Sequence, residues 1–112
     1  MIKQSSFMKF NASELFGKSV FVHSFCVEHS DNSLVVKMNL TGENNKSYYG
    51  IFQKVYALKL SNVSYPFQIC GFEILDYSSR GYQKDVRFFV NDYEDGKLSF
   101  FCENFEIFNA NR

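Results

Sequence analysis

The chain has 112 residues, 46% of them apolar and 21% charged, which is the length of one ordinary domain able to bury a core without disulfides or metals and excludes a disordered chain. Lysine plus arginine and aspartate plus glutamate both total 12, so no net field gathers phosphates or an anionic membrane, and nucleic-acid and membrane partners are disfavoured. With 14 Phe and 7 Tyr, the composition favours pleated, half-buried surfaces and a mainly β fold.

In chain order, the first local signal is FNASELFGK, where Asn11 can cap, Glu14 follows three residues later and Gly17 offers a left-handed stop. This predicts a short helix of one or two turns. SVFVHSFCVEH then reads as a strand buried on much of both faces, with Phe21, His23, Phe25 and Val27 on one side and Val20, Val22, Ser24 and Cys26 on the other. HSDNS has turn chemistry, and Leu34, Val36, Met38 and Leu40 beyond it alternate with Val35, Lys37 and Asn39, which predicts a hairpin.

TGENNK is a polar loop, followed by SYYGIFQKVYALKLSNV as one long strand or two shorter ones. Its alternation slips near Gln53 and Lys54, and a bulge there reconciles the two apolar sets. Pro66 marks a boundary before FQICGFEILDY, and SSRGYQK is the next loop. The segment DVRFFVNDYEDGKLSFFCENFEIF supplies two strands around Asp95-Gly96, a pair suited to a primed two-residue turn. In the last strand Phe100 and Cys102 form a buried face, with Phe101 and Glu103 on the other.

Together these elements predict a single β domain over residues 1–112. It is an antiparallel β-sandwich or a strongly curved sheet of about six to seven strands, with one short N-terminal helix.

No catalytic motif occurs: there is no G-x-S-x-G elbow, P-loop or dinucleotide fingerprint. The two histidines, His23 and His29, read as a strand residue and a turn residue. Three widely spaced cysteines, Cys26, Cys70 and Cys102, have no zinc-ligand spacing and lie in apolar runs, so each reads as a small buried hydrophobe. No metal, cofactor or catalytic residue is therefore expected, and the chain is not read as an enzyme. Nothing at the start resembles a signal peptide and no run is long enough to span a bilayer, so a cytoplasmic location is the default, and the Asn-x-Ser/Thr triplets at Asn11, Asn39, Asn45 and Asn62 are discounted.

The charge is uneven: residues 1–60 have seven basic and four acidic side chains, residues 61–112 five and eight. The acidic excess includes Asp92, Glu94, Asp95, Glu103 and Glu106. Asp95 answers to the turn, whereas Asp92, Tyr93 and Glu94 at the hairpin end are the residues expected to touch a partner. Of the tyrosines at positions 48, 49, 65, 77, 82 and 93, some are expected at the surface, where large area and one polar tip suit interface anchors. A surface of Tyr82 and Tyr93 edged by Asp92, Glu94 and Asp95 could meet a basic patch on another protein.

The order VHSFCVEHSDNSLVVKMNL, YYGIFQKVYALKL, ICGFEILDYS and FFVNDYEDGKLSFFCENFEI resembles small β-rich bacterial immunity proteins of polymorphic toxin systems and related families of unknown function. It covers roughly residues 20–107, and it departs at Ser24, where Asp is expected after His23. The resemblance implies a non-enzymatic module that binds and silences a cognate toxin domain. The alternatives are a structural or self-assembling β protein with an exposed sheet edge and a small-ligand-binding β domain.

Overall fold

The computed structural model describes residues 16–17, 19–61, 63–77 and 87–110. Among these lie eight strands: β1 (Val20–Ser30), β2 (Ser33–Gly42), β3 (Ser47–Leu60), β4 (Phe67–Ile69), β5 (Phe72–Asp76), β6 (Phe88–Asp92), β7 (Leu98–Cys102) and β8 (Asn104–Asn109). All pair antiparallel in one open sheet of order β4-β1-β2-β3-β7-β6-β5, with β8 also on β3. The mainly β expectation holds. The predicted helix falls largely on residues outside the described ones, although Gly17 does take a positive φ of 87°.

Topology alone requires this sheet to bend. Seven strands side by side span about 29 Å if flat, at roughly 4.8 Å per gap. Yet the two end strands, β4 and β5, are joined by Cys70 and Gly71 only, a link that reaches at most about 11 Å. The sheet therefore curls until its ends meet.

Strand β3 is the spine of that curl. Its first half, Tyr48–Gln53, pairs β8, and its second half, Tyr56–Leu60, pairs β7. Between the halves sits the predicted bulge: the register with β2 slips where Lys54 has φ 54°, and a second slip lies at Ala57, φ 55°. Each adds a residue on one strand and sharpens the local twist, as the curvature demands.

Two predicted strands break in two, raising the count to eight. In β4–β5, Phe67 and Ile69 are buried, then Phe72 and Ile74, so the buried phase shifts by one residue at Cys70-Gly71. The same shift occurs at Glu103, between buried Phe100 and Cys102 and buried Phe105 and Ile107. Unbroken alternation would put the two sets on opposite faces; the corner turns both inward, and Glu103 N–H donates to Gln53 C=O at 3.0 Å to hold one of them.

The core is aromatic. Phe52 meets Phe100 edge-on at 5.2 Å and stacks on Phe105 at 5.8 Å, Phe88 meets Phe105 at 5.0 Å, and Phe16 lies against Tyr48 and Phe72. Such edge-to-face pairs add to plain area burial.

Strand β1 departs from expectation. Val20 and Val22 are fully buried, but the register shifts between Val22 and Ser24, and from His23 onward only Phe25 is even partly covered. Phe25 still packs against the core, but beyond it residues 26–30 have no packed layer among the described residues. Cys26 is exposed for this reason and Cys70 because it sits in the β4–β5 link, whereas Cys102 is buried as expected. Burial pushes the Cys102 thiol well above the usual cysteine range. The predicted β1–β2 hairpin is present, turning at Asp31-Asn32 with φ values of 51° and 63°.

Candidate protein-binding site

The β6–β7 connection is a five-residue loop, Tyr93 to Lys97, and not the two-residue turn expected at Asp95-Gly96. Gly96 does adopt φ 65°, but Asp92 decides the geometry. Its Oδ1 accepts the N–H groups of Glu94 and Asp95, both at 3.2 Å, and its Oδ2 accepts that of Lys97 at 3.1 Å. A carboxylate accepting three backbone donors stabilises a wider loop than a primed turn allows. Asp92 is 1% exposed and is the one buried charged side chain among the described residues. Its predicted contact with a partner is thus corrected: its oxygens face inward and hold the loop.

Neighbouring elements fasten the loop further. Tyr93 N–H donates to Gly71 C=O at 2.9 Å, Ser61 N–H to Lys97 C=O at 2.9 Å, and the Lys97 ammonium to Gln68 C=O at 2.7 Å. What remains outward is Tyr93, 61% exposed, with exposed Glu94 and Asp95 beside it. Of the other tyrosines proposed for the surface, Tyr65 is exposed, Tyr49 and Tyr77 are half-buried, and Tyr48 is a core residue at 2%. Tyr82 lies outside the described residues.

Beneath Tyr93 and Glu94 opens a pit of about 510 Å³, walled on the far side by Phe16, Glu43, Cys70 and Phe72. Two carboxylates, Glu43 and Glu94, line it, and no basic side chain does among the described residues. Sequence reasoning missed Glu43 and Gly71. Glu43 sits in a featureless polar loop, and Gly71 reads as an ordinary strand position until the chain is seen to bring Glu94 against it.

That contact is tight. A Cβ on Gly71 would lie 2.8 Å from Glu94 Cγ and 2.9 Å from its backbone nitrogen. Gly71→Ala is expected to lower stability by about 1–3 kcal/mol, since backbone cannot give way as a side-chain tip can. It should also displace Tyr93 and Glu94, visible in an NMR spectrum as amide shifts at residues 92–97 in addition to those around position 71 itself; an unchanged loop and melting temperature would contradict the packing.

His29 and Asp31 line a depression of about 640 Å³ with the Lys54–Glu103 ion pair (3.5 Å). His29 and Asp31 are exposed there, and no hydrogen bond orients the imidazole as a catalytic base requires. His23 is hydrogen bonded to Thr41 Oγ1 at 2.7 Å, away from that depression. No three His, Cys, Asp or Glu residues among the described ones group as a metal site would need. On the outer sheet face, Tyr56, Phe101, Phe89 and Tyr77 stack on one another at centroid distances of 5.5, 4.7 and 6.1 Å. Their faces are turned to each other, so they offer edges rather than a platform for stacking bases.

No helix among the described residues is long and apolar enough to cross a membrane. The chain matches no protein-family model, no curated protein and no solved structure.

Proposed function

We propose that this chain is a non-enzymatic protein-binding module, an immunity-type inhibitor that neutralises a cognate bacterial toxin by covering its surface in the cytoplasm. The observation that carries the reading is the loop Tyr93-Glu94-Asp95, outward-facing and pinned from below by the buried Asp92 carboxylate. A loop already held in one conformation loses little entropy when it binds. Tyr93 is the anchor, and Glu94, flanked by Asp95 in its 3.8 Å ion pair with Lys97, offers a carboxylate to a lysine or arginine of a basic partner, raising the rate of encounter. The layout that resembles immunity proteins supplies the partner class. Tyr82 remains part of the proposed surface from the sequence alone.

Co-expression with the toxin candidate from the neighbouring genes is the test. Growth is expected to be rescued by the wild type and lost with the double substitution Tyr93→Ala, Glu94→Lys. Absence of rescue, together with no complex on a sizing column, would overturn the reading.

A further inference from the structure

Strand β1 is an edge for most of its length. Strand β4 covers only Val20, Val22 and Phe21 between them. From Ser24 to Ser30 the strand pairs β2 on one side, and no strand lies on the other among the described residues.

The hairpin determines which groups this edge offers. Asp31 and Asn32 both have positive φ and Ser30 is paired with Ser33, the geometry of a two-residue primed turn whose flanking residues exchange both hydrogen bonds. The register with β2 is unbroken from Ser30 back to Ser24. Alternation then turns the N–H and C=O of Ser30, Glu28 and Cys26 toward β2, and those of Phe25, Val27 and His29 toward solvent. None of these three residues makes another hydrogen bond. The usual guards of an open edge, proline and lysine, are missing from β1. Its acid, Glu28, is held by Lys37 of β2 at 3.1 Å.

We propose that this edge is where a second copy of the chain docks, antiparallel, with Val27 on the twofold axis. The three outward residues are symmetric about Val27, so this register satisfies all six groups on each copy. Val27 pairs with Val27 of the partner subunit, and Phe25 with His29 of the partner subunit. Val27 is 43% exposed, so the axis carries an apolar contact, and Glu28 falls opposite a thiol. A twofold at Glu28 would set two like charges side by side, which is destabilising. One at Cys26 would pair His29 with His23, where the bulge breaks the strand. The interface is far smaller than the roughly 800 Å² per partner of a stable complex, so the dimer is concentration-dependent. Val20 lines the acidic pit and His29 the opposite depression, so β1 separates the two ends and dimerisation leaves both Tyr93 loops free. The dimer does not rest on the toxin reading.

Sedimentation velocity of the full chain, from about 5 to 500 μM, a range chosen to bracket a small interface, tests it. The sedimentation coefficient is expected to rise with concentration. Val27→Pro should weaken the dimer by at least about tenfold, since it removes a donor from each copy. The fold should persist, because the Val27 N–H takes no part in the β1–β2 ladder, and an unchanged circular dichroism spectrum would show it. Independently, exchange at the amides of Phe25, Val27 and His29 should slow as concentration rises. A monomer across the range, a dimer indifferent to Val27→Pro, or concentration-independent exchange at the three amides overturns the proposal; a monomer that nonetheless binds the toxin would leave the inhibitor reading standing.

Discussion

Replacing Phe52 by alanine is expected to destabilise the fold by about 3–5 kcal/mol, the largest effect of any single truncation proposed for this chain. Phe52 is fully buried on the half of β3 that pairs β8, and its ring touches Phe100 of β7 and Phe105 of β8. It therefore packs across the bend in the sheet, from one wing to the other. The ring lies over Gly50, where an added Cβ would come within 3.0 Å of Cε1; that glycine makes room for it. Backbone hydrogen bonds on both sides of β3 stop the strand from collapsing into the hole. Denaturant unfolding measures the loss, and Phe52→Leu should recover more than half of it. A cost below about 0.5 kcal/mol, the range of an ordinary surface change, would mean that β7 and β8 are not packed together through this ring.

Asp92→Ala comes second, with an expected cost of about 2–4 kcal/mol. Three N–H groups lose their acceptor together, and the alanine cannot hold the loop closed over Phe72, with which Asp92 is paired in the ladder. Asp92→Asn separates charge from shape. Its one carbonyl can keep the Glu94 and Asp95 donors, but its amide then faces the Lys97 N–H donor to donor, so about half the loss is expected. The loss should also appear as weaker partner binding, although Asp92 is 1% exposed, because Tyr93 and Glu94 depend on it for position. Equal stability of Asp92→Asn and Asp92→Ala would show that the hydrogen bonds do not hold the loop.

Much of the fold could be read from local pattern. Alternation in β2, the Asp31-Asn32 turn, the slip at Lys54 and the buried face of Phe100 and Cys102 all follow from residue type and period. What escaped was non-local. Nothing near Cys70 or Glu103 announces a corner, because each is an apolar alternation shifted by one residue, and only the closure of the sheet turns both phases inward. The exposure of Cys26 likewise depends on which elements pack across the sheet from β1.

The candidate site was half legible for the same reason. Tyr93, Glu94 and Asp95 stand at the hairpin end as expected. The sequence pattern makes Asp92 a partner contact beside Tyr93 and Glu94, and its inward turn follows from a loop wider than Asp95-Gly96 suggests. Glu43 and Gly71 reach the site only through tertiary contact, the first from the β2–β3 turn and the second from the β4–β5 link.

The loop held by Asp92 is the surface we propose this chain uses on another protein. A calorimetric titration of the purified chain with its proposed partner, a toxin-domain candidate from the neighbouring genes, compares wild type with Tyr93→Ala and Glu94→Lys. A one-to-one interaction per chain is expected, weakened about thirtyfold by Tyr93→Ala, the scale of an interface anchor, and made less sensitive to salt by Glu94→Lys. Binding that both substitutions leave unchanged would place the partner elsewhere on the sheet and contradict it.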